Sequence, residues 1–168
     1  MIFGMTPYTF MHVVISLVGI GSGIVVMVGL LTGRRLDGWT ALFLLTTAAT
    51  SLTGFGLPFD HLLPSHIVGI ISLVALAVAA AARYVFHLPG SWQWVYVAGV
   101  VISLYFNVFV LIVQLFQKVP ALHAMAPTQA EPPFAIVQAA VLVLFVGLGI
   151  VAAIKAQPPA LVRPGRST

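Results

Sequence analysis

Histidine is the residue whose placement in this sequence most strongly suggests chemistry. The chain has five histidines in 168 residues and no cysteine. Without cysteine there are no disulfides and no thiolate metal sites, which leaves imidazole and carboxylate groups as ligands. Four histidines and one aspartate lie within or beside the ends of long apolar stretches: His12, Asp60, His61, His66 and His123.

A haem b is the first ligand that these residues fit. A helical bundle can hold haem iron by one imidazole from each of two helices. His12 and His66 are expected at nearly the same depth, and the Gly19/Gly23 stripe below His12 would make room for the macrocycle. Two glutamines are expected at the same level and complete the predicted cofactor-binding set: Gln114 and Gln138.

A copper or zinc ion is the second candidate, because imidazole suits both metals and carboxylates can complete such sites. The predicted ligands are His12, His61, His66 and His123 with Asp60. Met125 follows His123 by two residues, and thioether sulfur favours Cu(I). No spacing here matches a strong metal signature such as two histidines separated by Glu-x-x.

Two further functions remain compatible with the sequence. A quinone or another lipidic molecule would be held between helices by histidine and glutamine hydrogen bonds. A non-catalytic subunit or assembly factor of a larger membrane complex would need no ligand at all. Transport and hydrolysis are less favoured, because no charge lies at mid-membrane depth and Ser65-His66 has no triad context. Whether the protein is an enzyme is left open.

The elements that position these residues are predicted to be membrane-spanning helices. Of the residues, 61% are hydrophobic and 6% are charged, against about 25% charged in soluble domains. A helix needs about 20 apolar residues to cross the hydrocarbon core. The sequence therefore predicts an all-α integral membrane protein, a bundle of five transmembrane helices over residues 10–31, 40–57, 66–86, 93–117 and 134–154.

The basic residues predict how this bundle is oriented. With five spans, six of the seven basic residues fall on one face, and only Lys118 falls on the other. Cytoplasmic loops carry an excess of lysine and arginine, so the N-terminus is placed outside and the C-terminus inside. The cytoplasmic set is Arg34, Arg35, Arg83, Lys155, Arg163 and Arg166.

Residues 1–156 are predicted to form the transmembrane domain, and residues 157–168, with three prolines, a short flexible cytoplasmic tail. Pro58-Phe59-Asp60-His61 and Pro120-Ala121-Leu122-His123 favour a weakly repeated helical hairpin. No basic cluster points to nucleic acid, and the lipid bilayer and other membrane subunits are the expected partners. The resulting hypothesis is a bacterial-type inner-membrane protein with a His-rich periplasmic site for haem or a metal ion, in a redox or metal-handling role.

Overall fold

Helices form over all five predicted segments in a computed structural model, which describes residues 6–56, 64–88 and 90–156. The side chains of residues 64–66 also lie outside the described part. The long helices are α1 (Pro7–Leu31), α2 (Asp37–Gly54), α3 (Pro64–Ala80), α4 (Ser91–Lys118) and α6 (Pro132–Lys155), and a short α5 (Pro120–Met125) precedes α6. The described residues contain no strand.

Four helical segments are long and apolar enough to cross a membrane: Pro7–Leu31, Ile67–Val85, Ser91–Lys118 and Pro132–Lys155. The prediction of an all-helical, multi-pass membrane protein is therefore confirmed. α2 has 18 residues, with Asp37 at its start and five threonines along its length. These polar residues lower its hydropathy below that of the other long helices.

Proline begins four of the helices, at Pro7, Pro64, Pro120 and Pro132. Proline is favoured at the first helical position because its fixed φ suits a helix and the N–H it lacks would have no partner there. α1, α3 and α6 therefore begin two or three residues before the predicted apolar spans. α1 ends where Gly33 adopts a φ of 69° and the N–H of Arg34 donates to the Gly29 carbonyl over 2.8 Å.

Four helices form a closed ring and the fifth long helix lies outside it. α1 packs on α2, α2 on α3, α3 on α4 and α4 on α1, so α1 and α3 occupy one diagonal of the ring. α6 packs against α4 and α1 from outside. The residues with less than 2% exposure include Phe43, Val97, Val100 and Leu104, so the core lies where α2 and α4 face each other.

The closest helix contacts are made by glycine. A Cβ at Gly99 would lie 2.8 Å from the Cβ of Ala79 and 2.9 Å from the carbonyl oxygen of Ala75, so α3 and α4 touch backbone to backbone. A Cβ at Gly23 would lie 2.6 Å from a methyl group of Leu104 and 2.8 Å from the Phe43 ring. Small residues thus serve packing within this chain.

The bundle has two chemically different ends. At one end, which we call the His12 end, α1 and α6 begin and α2 and α4 end. The loops after α1 and after α3 lie at the other end, which we call the Arg83 end. There Arg83, which follows α3, pairs with Asp37 of α2. The predicted tail, residues 157–168, lies outside the described residues.

Candidate functional site

His12 lies in the second turn of α1 and is held against the last turn of α2. Its Nδ1 lies 2.8 Å from Oγ1 of Thr53. The hydroxyl of Tyr8, one turn earlier on α1, donates to the Thr53 carbonyl oxygen over 2.7 Å. A Cβ at Gly54 would lie 3.6 Å from Cε1 of His12, an ordinary van der Waals contact, so the imidazole ring lies close to the end of α2. Two polar contacts therefore join α1 to α2 at the His12 end.

These contacts favour one tautomer of His12. The Thr53 hydroxyl has one hydrogen, and it donates along its own helix to the Ala49 carbonyl over 2.7 Å. With that hydrogen on the Ala49 carbonyl, Nδ1 of a neutral His12 ring is the donor to Thr53 Oγ1, and the lone pair lies on Nε2. The part of the chain that the structure describes supplies no hydrogen-bond partner for Nε2. A half-buried imidazole with Nδ1–H held and Nε2 open is the arrangement of many metal-binding histidines.

Of the other predicted metal ligands, only His123 has a described side chain. His66 lies in the first turn of α3, but its side chain, together with Asp60 and His61, lies outside the described residues. His123 is exposed on the short helix α5. Within residues 6–56, 64–88 and 90–156, no three His, Asp or Glu side chains are grouped closely enough to hold a metal ion.

The two glutamines do not join His12. Gln114 is exposed on α4. Gln138 is 9% exposed and donates from Nε2 to the Phe109 carbonyl oxygen over 3.2 Å, which links α6 to α4. The predicted depth of these residues along the bundle does not determine which helix they face. Gln138 bonds across α6 and α4, whereas His12 bonds across α1 and α2.

The expected space for a macrocycle below His12 is filled by other side chains. A Cβ at Gly19 would lie 3.3 Å from the hydroxyls of Thr46 and Thr47, and Gly23 is covered by Phe43 and Leu104. The interpretation of the glycine stripe as room for haem was therefore wrong. The stripe admits α2 and α4 instead, because a helix face without side chains lets neighbouring helices approach closely.

Polar groups in the bundle interior are partly satisfied within the chain. Thr46 and Thr53 donate to carbonyls of their own helix, and Asn107 donates from Nδ2 to Thr47 Oγ1 over 3.0 Å. Five buried side-chain atoms have no hydrogen-bond partner among the described residues: the hydroxyls of Thr50, Ser72 and Ser103, Oε1 of Gln138 and Oε2 of Glu131.

The loop between α4 and α6 is folded back on the His12 end. Ala126 is fully buried against Ile112 and Phe116, and the Thr128 hydroxyl donates to Oε1 of Glu131 over 2.9 Å. Desolvation raises the pKa of the Glu131 carboxyl, but the hydrogen bonds from Thr128 and the loop backbone outweigh it and hold that pKa below its usual value. Glu131 is thus an ionised group that orders the loop.

A polar cluster at the Arg83 end was missed at the level of sequence. A π-helical turn, Ala81–Val85, follows α3 and carries Arg83, whose guanidinium pairs with Asp37 and lies 5.2 Å from the ring centroid of Tyr96. The buried Tyr96 hydroxyl is 3.3 Å from Thr40 Oγ1. The available signal in the sequence was an arginine directly after a run of four alanines, and the positive-inside rule explained it without a site.

Comparison of the chain with protein-family models, with curated proteins and with solved structures gives no match.

Proposed function

We propose that the protein is a five-span inner-membrane protein, with its N-terminus outside and its C-terminus in the cytoplasm, that binds a transition-metal ion at its periplasmic end. His12 is the ligand that carries this proposal, because Thr53 holds Nδ1–H and leaves Nε2 free to donate its lone pair. Asp60, His61 and His66 are the candidate co-ligands, and His123 is placed on the same end. A metal-handling or redox role follows from such a site.

The fifth crossing is made by α2. Its threonines lower its hydropathy, but their hydroxyls are largely satisfied: Thr46 and Thr53 bond to their own helix, and Thr40 and Thr47 lie within hydrogen-bond distance of Tyr96 and Asn107 on α4. A satisfied hydroxyl costs little inside a bundle, so the helix can cross between its apolar neighbours. This supports five crossings in place of four.

The charges support the orientation. Arg34, Arg35 and Arg83 line one cavity at the Arg83 end, and Lys155 ends α6, whereas Lys118 ends α4 at the His12 end. The positive-inside rule places the Arg83 end in the cytoplasm.

Single-cysteine labelling tests this topology cleanly because the chain has no cysteine of its own. In intact cells, we expect a membrane-impermeant maleimide to label cysteines introduced at Leu57 and Ala124 but not at Gly33. Labelling at Gly33 and protection at both other positions would reverse the orientation. The same result at all three positions, labelling or protection, would show that α2 does not cross, because positions 33 and 57 would then lie on one side of the membrane.

Metal binding is tested by removing His12 and its positioning partner separately. We expect about one copper or zinc ion per purified chain, lost in His12→Ala. Thr53→Val should weaken binding by about 10–100-fold, as changes in outer-shell partners of ligands do, and Thr53→Ser, which keeps the hydroxyl, should restore it. The measurement is elemental analysis of the detergent-purified protein, followed by metal titration.

His87→Asn is the matched control. His87 is exposed at the Arg83 end with a φ of 55°, which asparagine tolerates better than alanine. This variant should keep the metal. A Soret band lost in His12→Ala would identify the ligand as haem instead of an ion. A wild-type protein that is both colourless and metal-free would refute the proposal.

A membrane subunit is the second candidate, and α6 is the observation in its favour. It lies outside the ring, and only 6% of its most apolar window is buried. An apolar groove of about 650 Å³ runs between α4 and α6. Under this hypothesis the purified protein carries no metal and copurifies with partner proteins in fixed stoichiometry.

A further inference from the structure

The Arg83 end contains a cavity of about 50 Å³ whose polar wall is unusually basic for so apolar a chain. Its polar lining consists of Arg34, Arg35, Thr40, Arg83, Gln93 and Tyr96. A buried water needs at least about 10–15 Å³ of such space. The cavity therefore admits a few waters or one tetrahedral oxyanion, but not a sugar ring or a nucleobase.

The charges around this cavity do not balance. Three guanidinium groups line it, and Asp37 is the one carboxylate that pairs with them in the described residues. The Asp37 side chain is 79% exposed, so its charge is shared with solvent. Of the other two acids in the chain, Glu131 begins α6 at the His12 end, and Asp60 follows α2 in sequence. Among the described residues, two of the three positive charges thus have no paired carboxylate.

Arg83 is the fixed member of the three. Its side chain is 10% exposed, and its Cζ lies 5.2 Å from the Tyr96 ring centroid and 5.7 Å from that of Tyr84. A guanidinium has five N–H donors, and the one hydrogen bond to Asp37, from Nη2, leaves others for a ligand. The π-helical turn places Arg83 here, and such turns are frequent at functional sites.

Two helix N-termini add to the positive potential of this end. α2 begins after Leu36 and α4 after Gly90, and neither has a side chain that caps its first-turn N–H groups. Leu36 and Gln93, from these two turns, both line the cavity. Free N–H groups and the helix dipole favour an anion at such a position.

We propose that this cavity binds a phosphate group, either from the headgroup of an anionic lipid or from free phosphate. Arg83 would supply buried donors from inside, and the exposed Arg34 and Arg35 would close on the group from the loop after α1. Arginine suits phosphate because its planar fork can donate two parallel hydrogen bonds. The site is independent of the metal proposed at the His12 end.

The test uses the full chain in a zwitterionic detergent and measures binding by titration calorimetry with three probes: inorganic phosphate, short-chain phosphatidylglycerol and short-chain phosphatidylcholine. We expect Arg34→Gln and Arg35→Gln to weaken binding by about tenfold or more each, the usual loss with a charged hydrogen bond. Both side chains are exposed, so these variants should fold, as thermal unfolding will show.

Lys155→Gln is the matched control, because it removes one exposed positive charge near the same end without touching the cavity. It should bind as the wild type does. Binding of phosphatidylglycerol without binding of inorganic phosphate identifies a lipid headgroup, and competition by inorganic phosphate identifies the free ion. Equal losses in Lys155→Gln and Arg34→Gln, or a wild type that binds none of the probes, would overturn the proposal.

Discussion

Gly99→Ala is expected to destabilise the bundle by about 1–3 kcal/mol, the usual cost of overpacking a tightly packed contact. The new Cβ would lie 2.9 Å from the Ala75 carbonyl oxygen and 2.8 Å from the Ala79 Cβ. Neither atom is the flexible end of a side chain, so α3 and α4 must move apart. Denaturation with increasing SDS in mixed micelles, followed by circular dichroism, measures the change.

Gly21→Ala is the control for this experiment, since nothing lies within 4 Å of a Cβ at that position of α1. Alanine in an open helical position should leave stability unchanged or raise it by about 0.5–1 kcal/mol. A Gly99→Ala protein as stable as Gly21→Ala would show that α3 and α4 do not approach as closely as described.

The helices and their ends could be predicted from sequence because the length of an apolar run is itself the physical requirement for a membrane span. Even α2, the most polar helix, was located within three residues at each end, at Asp37–Gly54 against 40–57. Run length and charge bias also predict which loops share an end, and they group Arg34, Arg35 and Arg83, which line one cavity in the structure.

The direction that a residue faces could not be predicted in the same way. Counting residues gives depth along the bundle, at about 1.5 Å per residue, but the neighbours of each helix depend on packing. His12 and Gln138 are predicted at the same depth in one cofactor-binding set, yet His12 faces α2 and Gln138 bonds to α4. Likewise, Gly19 and Gly23 predict that something packs closely against this face of α1, but not whether it is a cofactor or a helix. In the structure it is α2 and α4.

Charge bias had the opposite effect at the Arg83 end, where it concealed the polar cluster around Arg83 and Tyr96. An arginine at the cytoplasmic end of a span needs no further explanation under the positive-inside rule. Only the structure shows that Arg83 turns inward, 10% exposed, beside Tyr96. An arginine that follows the positive-inside rule can also bind a ligand, so its role in topology does not argue against ligand binding.

Phe43→Ala is expected to have the largest effect of any single truncation, about 3–5 kcal/mol. Phe43 is fully buried where α1, α2 and α4 meet, with its ring under Gly23. Its loss leaves a cavity that the backbone contacts around it cannot close. Leu45, two residues away on α2 and 71% exposed, is the matched control, and Leu45→Ala should cost much less because its side chain faces outward.

The contact of the Phe43 ring with Gly23 predicts that the effects of substitutions at these two positions on stability are coupled. Gly23→Ala alone should destabilise the protein, because its Cβ would lie 2.8 Å from the Phe43 ring and 2.6 Å from a Leu104 methyl group. In the Phe43→Ala background the added methyl group enters the space that the ring has left, so Gly23→Ala should cost less there by about 0.5–3 kcal/mol. Additive effects of the two substitutions would mean that Phe43 of α2 does not pack against Gly23 of α1. Since α2 also carries Thr53, the orientation of His12 would then need another explanation.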